Sequence, residues 1–561
     1  MEQEITNERE RMEEKDYKSN SRKSNKKGSK RGKSRGKRSK HDNNRSKAEV
    51  DSKFKDTDND VSWYASNQEI LKASANFSYF NPVGNKLSWE SQVRNTKITF
   101  GSNMDYVPGI MTIPWIGVPG IATSYQSAVN VAADNIYSYV RYQNSGAKNY
   151  EAPDLMLYLL AMDELYCWWA RAVRAYGTIR VYSQTNRYLP KALLLAQGFN
   201  PEDVIGKEAE FRGKINALAA QISAFCVPAT LPYFARHFWM NTNIYTDNDV
   251  FKPQIYIYKQ IAYRTYEETE SEDGGMLHTH SVPHYNDGEG MTINEWYNIA
   301  ITMLRKVTAS EDIGIMSGDI LKAFGRENLF KLNAIDESYA VIPTYNQEVL
   351  NQIHNAELNV VFTPDEPVEN GANDTTLVRT FDIKHFVSPN NILSCNPVIP
   401  TNVPLEAPHV LNFHNNDITP EMAMVATRLK SHFMATNVLN SNNKLQWTCT
   451  SAGSEVCFAA EIWFPYLPST HGFTFYYIQE FETAASIVSE VNISSLINFD
   501  WHPLVYQYQI TGGEGTTNIA WTVDDYIYDM ANYTMFGYEQ LDQTHQCAIL
   551  SEFKIPVLGS F

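Results

Sequence analysis

No CxxC pair occurs in the sequence, and its six cysteines, at 167, 226, 395, 449, 457 and 547, are scattered through 561 residues. That is too few and too dispersed for a disulfide framework. The amino terminus, Met1-Glu2-Gln3-Glu4, lacks the apolar run of a secretory signal. Reduced thiols and an intracellular site of synthesis are therefore expected. The sequons Asn76-Phe77-Ser78 and Asn532-Tyr533-Thr534 are then expected to be idle.

Catalytic signatures are missing as well. There is no GxSxG, no HExxH, and no GxGxxG that opens a helix. Gly512-Gly513-Glu514-Gly515-Thr516-Thr517 lacks the lysine of a phosphate-binding loop and reads as a turn. Nothing near Cys449 or Cys457 would lower a thiol pKa, so neither is nominated as a nucleophile. The longest uncharged stretch, Tyr106 to Ala133, is broken by Pro108, Gly109, Pro114, Gly117, Pro119 and Gly120. Three prolines in a lipid-exposed helix would leave backbone groups unpaired in hydrocarbon, so a buried, turning core segment is expected instead.

What is present is an ordinary globular composition, 43% apolar and 20% charged, long enough for about three or four domains. The charge is unevenly spread. Residues 1–60 carry 19 of the 48 Lys and Arg and 13 of the 64 Asp and Glu, a balance of +6. The other 501 residues keep 29 basic and 51 acidic groups, a balance of −22. An acidic body with a basic arm points to a polyanionic partner held by the arm alone.

Within the arm, eleven of the nineteen residues from Arg22 to Lys40 are basic and none is acidic. The rest are Ser, Gly and Asn, so the segment is expected to be disordered when free. It has no aromatics, which argues for phosphate contact without base reading. The residues nominated for RNA binding are Arg22, Lys23, Lys26, Lys27, Lys30, Arg31, Lys33, Arg35, Lys37, Arg38 and Lys40. Residues 41–60 read as a linker.

The body begins near Val61-Ser62-Trp63-Tyr64, and its signals are mostly helical to about Met240. Asn200-Pro201-Glu202-Asp203 is a helix start: a cap, a proline at the first position, and acids in the first turn. Phe211, Ile215, Leu218, Ile222 and Phe225 form an apolar stripe after it. Residues 153–176, with Leu155, Leu159, Leu160, Met162, Leu165, Trp168 and Trp169, read as apolar all round. A helix with no polar face belongs inside something large or between subunits. Further on, Gln254–Gln260 reads as a strand, Thr292-Ile293-Asn294-Glu295 as a capping box, and Thr419-Pro420-Glu421 as another helix start. Residues 360–418 read as loops and short strands. Gly472–Gln479 and Val505–Thr511 read as strands, and the apolar end Ile555-Pro556-Val557-Leu558 as tucked in.

His278-Thr279-His280 with His284 has the HxH spacing of two metal ligands on one strand. It follows the acidic run Glu267–Asp273, in a polar, Gly-rich stretch with no further partner at typical spacing. The expected reading is an exposed loop with solvated acids and imidazoles, on the outer surface of the molecule. No catalytic residue, metal ligand or cofactor is nominated.

The resulting class is α+β, mainly α-helical with a part containing β-strands, after a disordered basic N-terminal arm. The expected divisions are 1–60 for arm and linker, 61–240 for a helical part, 241–435 for a second, surface-exposed domain, and 436–561 for the last part. A basic arm, an acidic body and no catalytic signature suit an RNA-packaging shell subunit.

Asp60-Val61-Ser62-Trp63-Tyr64-Ala65 and Phe80-Asn81-Pro82-Val83-Gly84 resemble the start of the folded region in picobirnavirus capsid proteins. The resemblance continues through Pro108-Gly109-Ile110-Met111. It is strongest from Ser127 to Arg141, at Asn144-Ser145-Gly146, and from Ala152 to Asp163; Arg187-Tyr188-Leu189-Pro190 and Asn200-Pro201 belong to the same block. It covers about residues 60–240. It implies a mainly α-helical shell domain made of 61–240 and 436–561, and a protruding domain containing β-strands over 241–435, whose outer surface would carry the acidic run and the three histidines. It implies dimers that build a small icosahedral shell, sixty to a particle, around double-stranded RNA, with segments swapped between partners. It further implies a place in the virion, assembly in the host cytoplasm, the viral polymerase as a partner, and contact with a host membrane on entry. Some members are reported to shed their arm without a protease, which makes Asn43, Asn44 and Asn59 candidates for self-cleavage, beside a plain linker open to outside proteases. Two other classes stay open at this point: a cellular RNA-binding protein with a basic tail, and an enzyme using His278, His280 and His284.

Overall fold

A computed structural model describes residues 60–77, 109–145, 149–181, 189–248, 253–268, 274–285, 287–359, 380–387, 390–439, 444–466, 468–484, 487–511 and 520–555. The basic arm, the three candidate asparagines, the acids 269–273, the Gly-rich turn 512–517 and residues 556–558 lie outside the described residues.

The helical expectation for the first third holds, with one exception. Ile110–Gly117 is a strand, and every residue of it is buried. Its run Ile-Met-Thr-Ile-Pro-Trp-Ile-Gly is apolar on both faces, as a strand covered on both sides must be. It pairs in parallel with Ile255–Gln260 on one side. On the other side it pairs antiparallel with Ala460–Pro465 and then with Glu455–Cys457. Pro114 falls where that second partner changes, so its missing N–H coincides with a break in the ladder. The sheet reaches seven strands with Phe473–Ile478 at one edge and Tyr245–Thr246 and Thr344–Tyr345 at the other. Segments far apart in the chain therefore meet in one sheet. From Gly109 on, the uncharged stretch is a core strand and a turn leading into the helix Ala128–Asn144. Among the described residues, no helix is long and apolar enough to cross a membrane.

The long helix, Ala152–Val181, is the axis of the fold. Thirty residues at 1.5 Å each span about 45 Å. From Ala152 to Ile179 only Asp154 is not buried. The helices Pro232–Thr242, Ala128–Asn144, Glu208–Ile222 and Ile293–Ala309 all pack against it. Its burial is achieved within one chain, without a second subunit.

The local signals act as expected. Asn200 caps Pro201–Gly206 by accepting from the Asp203 N–H. The stripe after it is a separate helix, Glu208–Ile222, which buries Phe211, Ile215, Leu218 and Ile222; Phe225 lies beyond its end. Thr292 and Glu295 form a complete capping box for Ile293–Ala309. Thr419 caps Pro420–Ala426. Gly198 has φ +81°, in the left-handed region, and sits against the Arg171 guanidinium where a Cβ would collide. The second half adds a four-stranded sheet, two three-stranded sheets and the strand pair His409–Phe413 with Asn532–Phe536. Residues 383–413 supply four short strands, as read. Ile555 packs against the main core. The C-terminal helix Tyr538–Glu552 lies against the helices Gln68–Ala75 and Ala128–Asn144.

Candidate functional site

The eleven basic residues nominated for RNA lie outside the described residues. The histidines do not form an exposed loop. Met276–Ser281 is a strand, paired antiparallel with Ala262–Glu267. His278 is buried, and its Nδ1 lies 3.1 Å from Asp382 Oδ2. His280 sits over the Tyr263 ring and lies 2.9 Å from Thr265 Oγ1. His280 is half-buried, and His284 is exposed, between Asp287 at 2.6 Å and Glu295 at 3.3 Å. The expectation of a solvated loop is corrected because this sheet packs on the long helix and on Ile293–Ala309. The apolar neighbours that bury it are distant in sequence. Among the described residues, the three histidines are not among the groups close enough to share a metal ion.

The site that the fold does build is an ionic centre on the long helix. Asp163, Glu164, Arg171 and Arg174 interrupt its apolar sequence, and all four are buried. Arg264 donates from Nη1 to Glu164 Oε1 at 2.5 Å, and Gln260 Nε2 donates to Glu164 Oε2 at 2.9 Å. Arg236 grips Glu455 in a bidentate pair, Nε to Oε1 at 2.7 Å and Nη2 to Oε2 at 2.8 Å, with both side chains at 0% exposure. Its remaining Nη1 donates to the Tyr64 hydroxyl. Burial alone would raise the Glu455 carboxyl, but the Arg236 and His237 charges outweigh it and hold it at about 2. Glu552 goes the other way: burial and the neighbouring Glu455 charge raise it to about 7. Ser454 Oγ reaches both carboxylates.

Asp163, Cys167 and His237 lie within ligand reach of one another, and among the described residues they are the one such group. Asp163 and Cys167 share a helix face four residues apart, and His237 comes from Pro232–Thr242. His237 Nδ1 is 2.5 Å from Asp163 Oδ2. Burial lowers the imidazole pKa, but Asp163 more than reverses this; burial raises Asp163 itself. Both net shifts favour a bound proton, so the pair keeps one through neutral pH. The Cys167 thiol is pushed far up by burial and by Asp163, which removes the thiolate that nucleophiles and metal ligands need. The donor set is already bonded to itself and closed to solvent. Its chemistry is that of a tie between helices.

Among the described residues, Arg171 and Arg174 hydrogen-bond to carbonyls and an amide rather than to a carboxylate. Arg171 donates to the carbonyls of Gln260 and Gln197, at 3.1 and 2.9 Å. Arg174 donates to Gln197 Oε1 and to the Met240 and Tyr258 carbonyls. Burial lowers both to about 9, so each remains cationic at neutral pH. They staple loop and strand carbonyls to the long helix. Lys259 and Glu461 make a further buried pair, inside the seven-stranded sheet, at 2.9 Å.

A cavity of about 430 Å³ opens beside this helix, walled by Trp169, Val173, Phe238, Phe330, Leu332 and Ile335. Ile342, also at its wall, is 75% exposed. Sequence reasoning missed the ionic centre altogether. The signal was available: charged residues at 163, 164, 171 and 174 in an otherwise apolar helix can be tolerated only with buried partners.

Comparison with known proteins accords with a structural role. The family model described as Picobirnavirus, Capsid protein matches residues 63–490. A capsid protein precursor of human picobirnavirus is 29% identical over 542 residues, which cover 90% of this chain and 92% of that protein. The X-ray crystallographic structure of the picobirnavirus capsid superposes with a TM-score of 0.67 at 22% identity, covering 88% of this chain and 98% of that one. At that identity the superposition shows a common fold.

Proposed function

Since the chain belongs to the picobirnavirus capsid protein family and is a viral capsid protein, a component of the virion, we propose that it assembles as dimers into a small icosahedral shell and packages double-stranded RNA through its basic arm. The observation that carries this reading is the family match over 63–490, which starts directly after an arm of opposite charge to the body. The body carries a closed core of its own, with buried pairs such as Arg236 with Glu455. The arm, with eleven basic residues between Arg22 and Lys40, offers phosphate contacts and no base-reading aromatics. Exposed apolar side chains such as Ile342 and Tyr345, beside the 430 Å³ cavity, are the kind of surface that contacts between copies cover. The cellular RNA-binding and enzyme readings fall with the family assignment. Assembly in the host cytoplasm, polymerase and membrane contacts, and self-cleavage at Asn43, Asn44 or Asn59 belong to the same proposal, and the last is read directly from the N-terminus of mature particles.

Electron microscopy of the purified full chain tests assembly: shells are expected, and a protein that remains a small species at every concentration overturns it. Deleting residues 1–47 tests the arm separately. Shells are expected to persist, with most nuclease-protected RNA lost. Truncated shells carrying as much RNA as the full chain would assign packaging to another surface. Full-length binding is expected to weaken steeply with salt and to show no sequence preference.

A further inference from the structure

Four histidines in the second half of the chain have partners opposite in kind to those of His237. His354 ends the helix Gln347–His354 and is fully buried. Its Nδ1 faces the His502 carbonyl at 2.9 Å, and its Nε2 faces Asn412 Nδ2 at 3.0 Å. The orientation of the Asn412 amide is fixed independently, because its Oδ1 accepts from the Ala531 N–H at 3.0 Å and its Nδ2 also donates to the Asp529 carbonyl. An amide nitrogen can only donate, so His354 Nε2 must carry a lone pair. A carbonyl can only accept, so Nδ1 must carry the proton. Both ring nitrogens are committed to the neutral form.

The other three contact carbonyl, hydroxyl and imidazole partners, which fix at most one ring nitrogen each. His502 Nδ1 faces the Pro503 carbonyl at 3.0 Å. His545 Nε2 faces the Thr427 carbonyl at 3.3 Å, and its Nδ1 takes Ser451 Oγ at 2.9 Å. His432 Nδ1 meets His409 Nε2 at 3.1 Å, a contact with room for one hydrogen and not two. His409 in turn lies 2.8 Å from Glu357 Oε1, which Lys430 also holds at 2.9 Å.

Charged and titratable groups from several elements surround these rings. His354 faces the exposed His414 ring at 5.0 Å and shares a one-water void with Glu357, Lys430, Glu480 and Tyr528. His502 faces Asp500, Asp529 and His414. His545 faces Arg428, Glu357 and His409, with Asp542 nearby on its own helix. His432 faces His409, Glu357 and the Tyr538 ring. Burial, then neighbouring positive charge, keeps His354 and His545 well below the ordinary histidine value; burial and His409 bring His432 down to about 4.

We infer that His354 and its partner Asn412 form an acid-operated latch, which opens this polar core while the ion-paired centre on the long helix stays closed. The proton comes from water and adds to His354 Nε2. The new N–H then points at the Asn412 amide nitrogen, and the hydrogen bond between them is lost. Asn412 must move, and it is the common anchor of Asn355 on one side and of Asp529 and Ala531 on the other. Proton uptake is thereby coupled to release of the strand pair His409–Phe413 with Asn532–Phe536 from the helix Gln347–His354. The consequence is a capsid subunit, held firm at neutral pH, whose second half loosens in mild acid.

Limited proteolysis of the full chain at about pH 7.5 and about pH 5, the range in which imidazoles charge, tests the latch with cut sites read by mass spectrometry. New cuts are expected within 400–416 and 526–536 in acid, with 152–181 still protected. An unchanged pattern, or simultaneous loss of protection in 152–181, overturns the inference. His354→Gln offers an acceptor to Asn412 and takes no proton. It is expected to move the acid midpoint down by about half a pH unit or more, and an unmoved midpoint counts against the latch. The wild type alone also decides it: its melting temperature is expected to fall from about pH 7.5 to about pH 5, and a flat or rising profile overturns it.

Discussion

His237 and His354 are both wholly buried imidazoles in one chain, yet they are held in opposite charge states. His237 has a carboxylate on Nδ1, with a second, Glu455, 3.2 Å from Nε2. His354 has a carbonyl on one nitrogen and an amide nitrogen on the other. Burial lowers the pKa of both, and only carboxylate partners reverse it. The sign of a buried histidine's charge is thus set by the hydrogen-bonding capacity of its neighbours, not by depth. The ionic centre holds its protons on the acid side of neutrality, and the second polar core is the part that loosens in acid.

The largest expected effect tests the ionic centre's surroundings. Trp168 is fully buried in the long helix, and Trp168→Asp adds an unpaired carboxylate to a large cavity. A loss of about 5 kcal/mol or more is expected, comparable to a whole domain's stability. No folded particles should be recovered; normal particles would mean that the helix is not the core. Leu160→Asp is expected to behave alike.

Next, Arg236→Met strands Glu455 without its bidentate partner. About 3–5 kcal/mol should be lost, measured by denaturant unfolding. A smaller loss than that of any substitution in the second polar core would invert the ranking of the two regions.

Asn412→Asp sharpens the comparison by giving His354 the kind of partner His237 has. The variant should be about 1–3 kcal/mol less stable at neutral pH, since the new oxygen faces the Asp529 carbonyl. Its melting temperature should then rise toward mild acid, where the wild type's falls. Parallel profiles for the two proteins would show that the amide does not control His354.

The pH slopes themselves should oppose. His354 and His545 have lowered folded values, so the unfolded chain binds more protons below the unfolded value near 6.5, and stability is lost as pH falls through that range. The raised value of His237 contributes stability that is complete below 6.5 and is lost as pH rises through its folded value. His237→Gln should therefore be penalised at neutral pH and in acid, and less so in alkali, in a series of melts. The smallest effect is expected at Asn200, where one helix cap is lost: Asn200→Ala should cost about 1 kcal/mol in denaturant unfolding.

Elements whose signals are local were legible in the residues. The Asn200 and Thr419 caps, the Thr292–Glu295 box, the strand at Ile255–Gln260 and the all-buried helix around Trp168 depend on neighbours within a turn or two. The family resemblance around Ser127–Arg141 and Ala152–Asp163 was legible for the same reason, since packing residues recur in order along the chain. Position relative to distant segments was not. The His278–His280 stretch reads as polar surface until Asp382, about a hundred residues later, and the long helix cover it.

The sequence by itself determined a basic arm set against an acidic body, the helical first third, and the resemblance that the family match bears out. These follow from composition and short-range periodicity, which need no partner to be read. Tertiary structure alone decided that strands 110–117, 255–260 and 455–465 lie side by side, and that Arg236 meets Glu455 across 219 positions. It also decided which histidines carry charge. A charge in a low-dielectric interior is governed by the two or three atoms touching it, and the chain brings those atoms together only by folding.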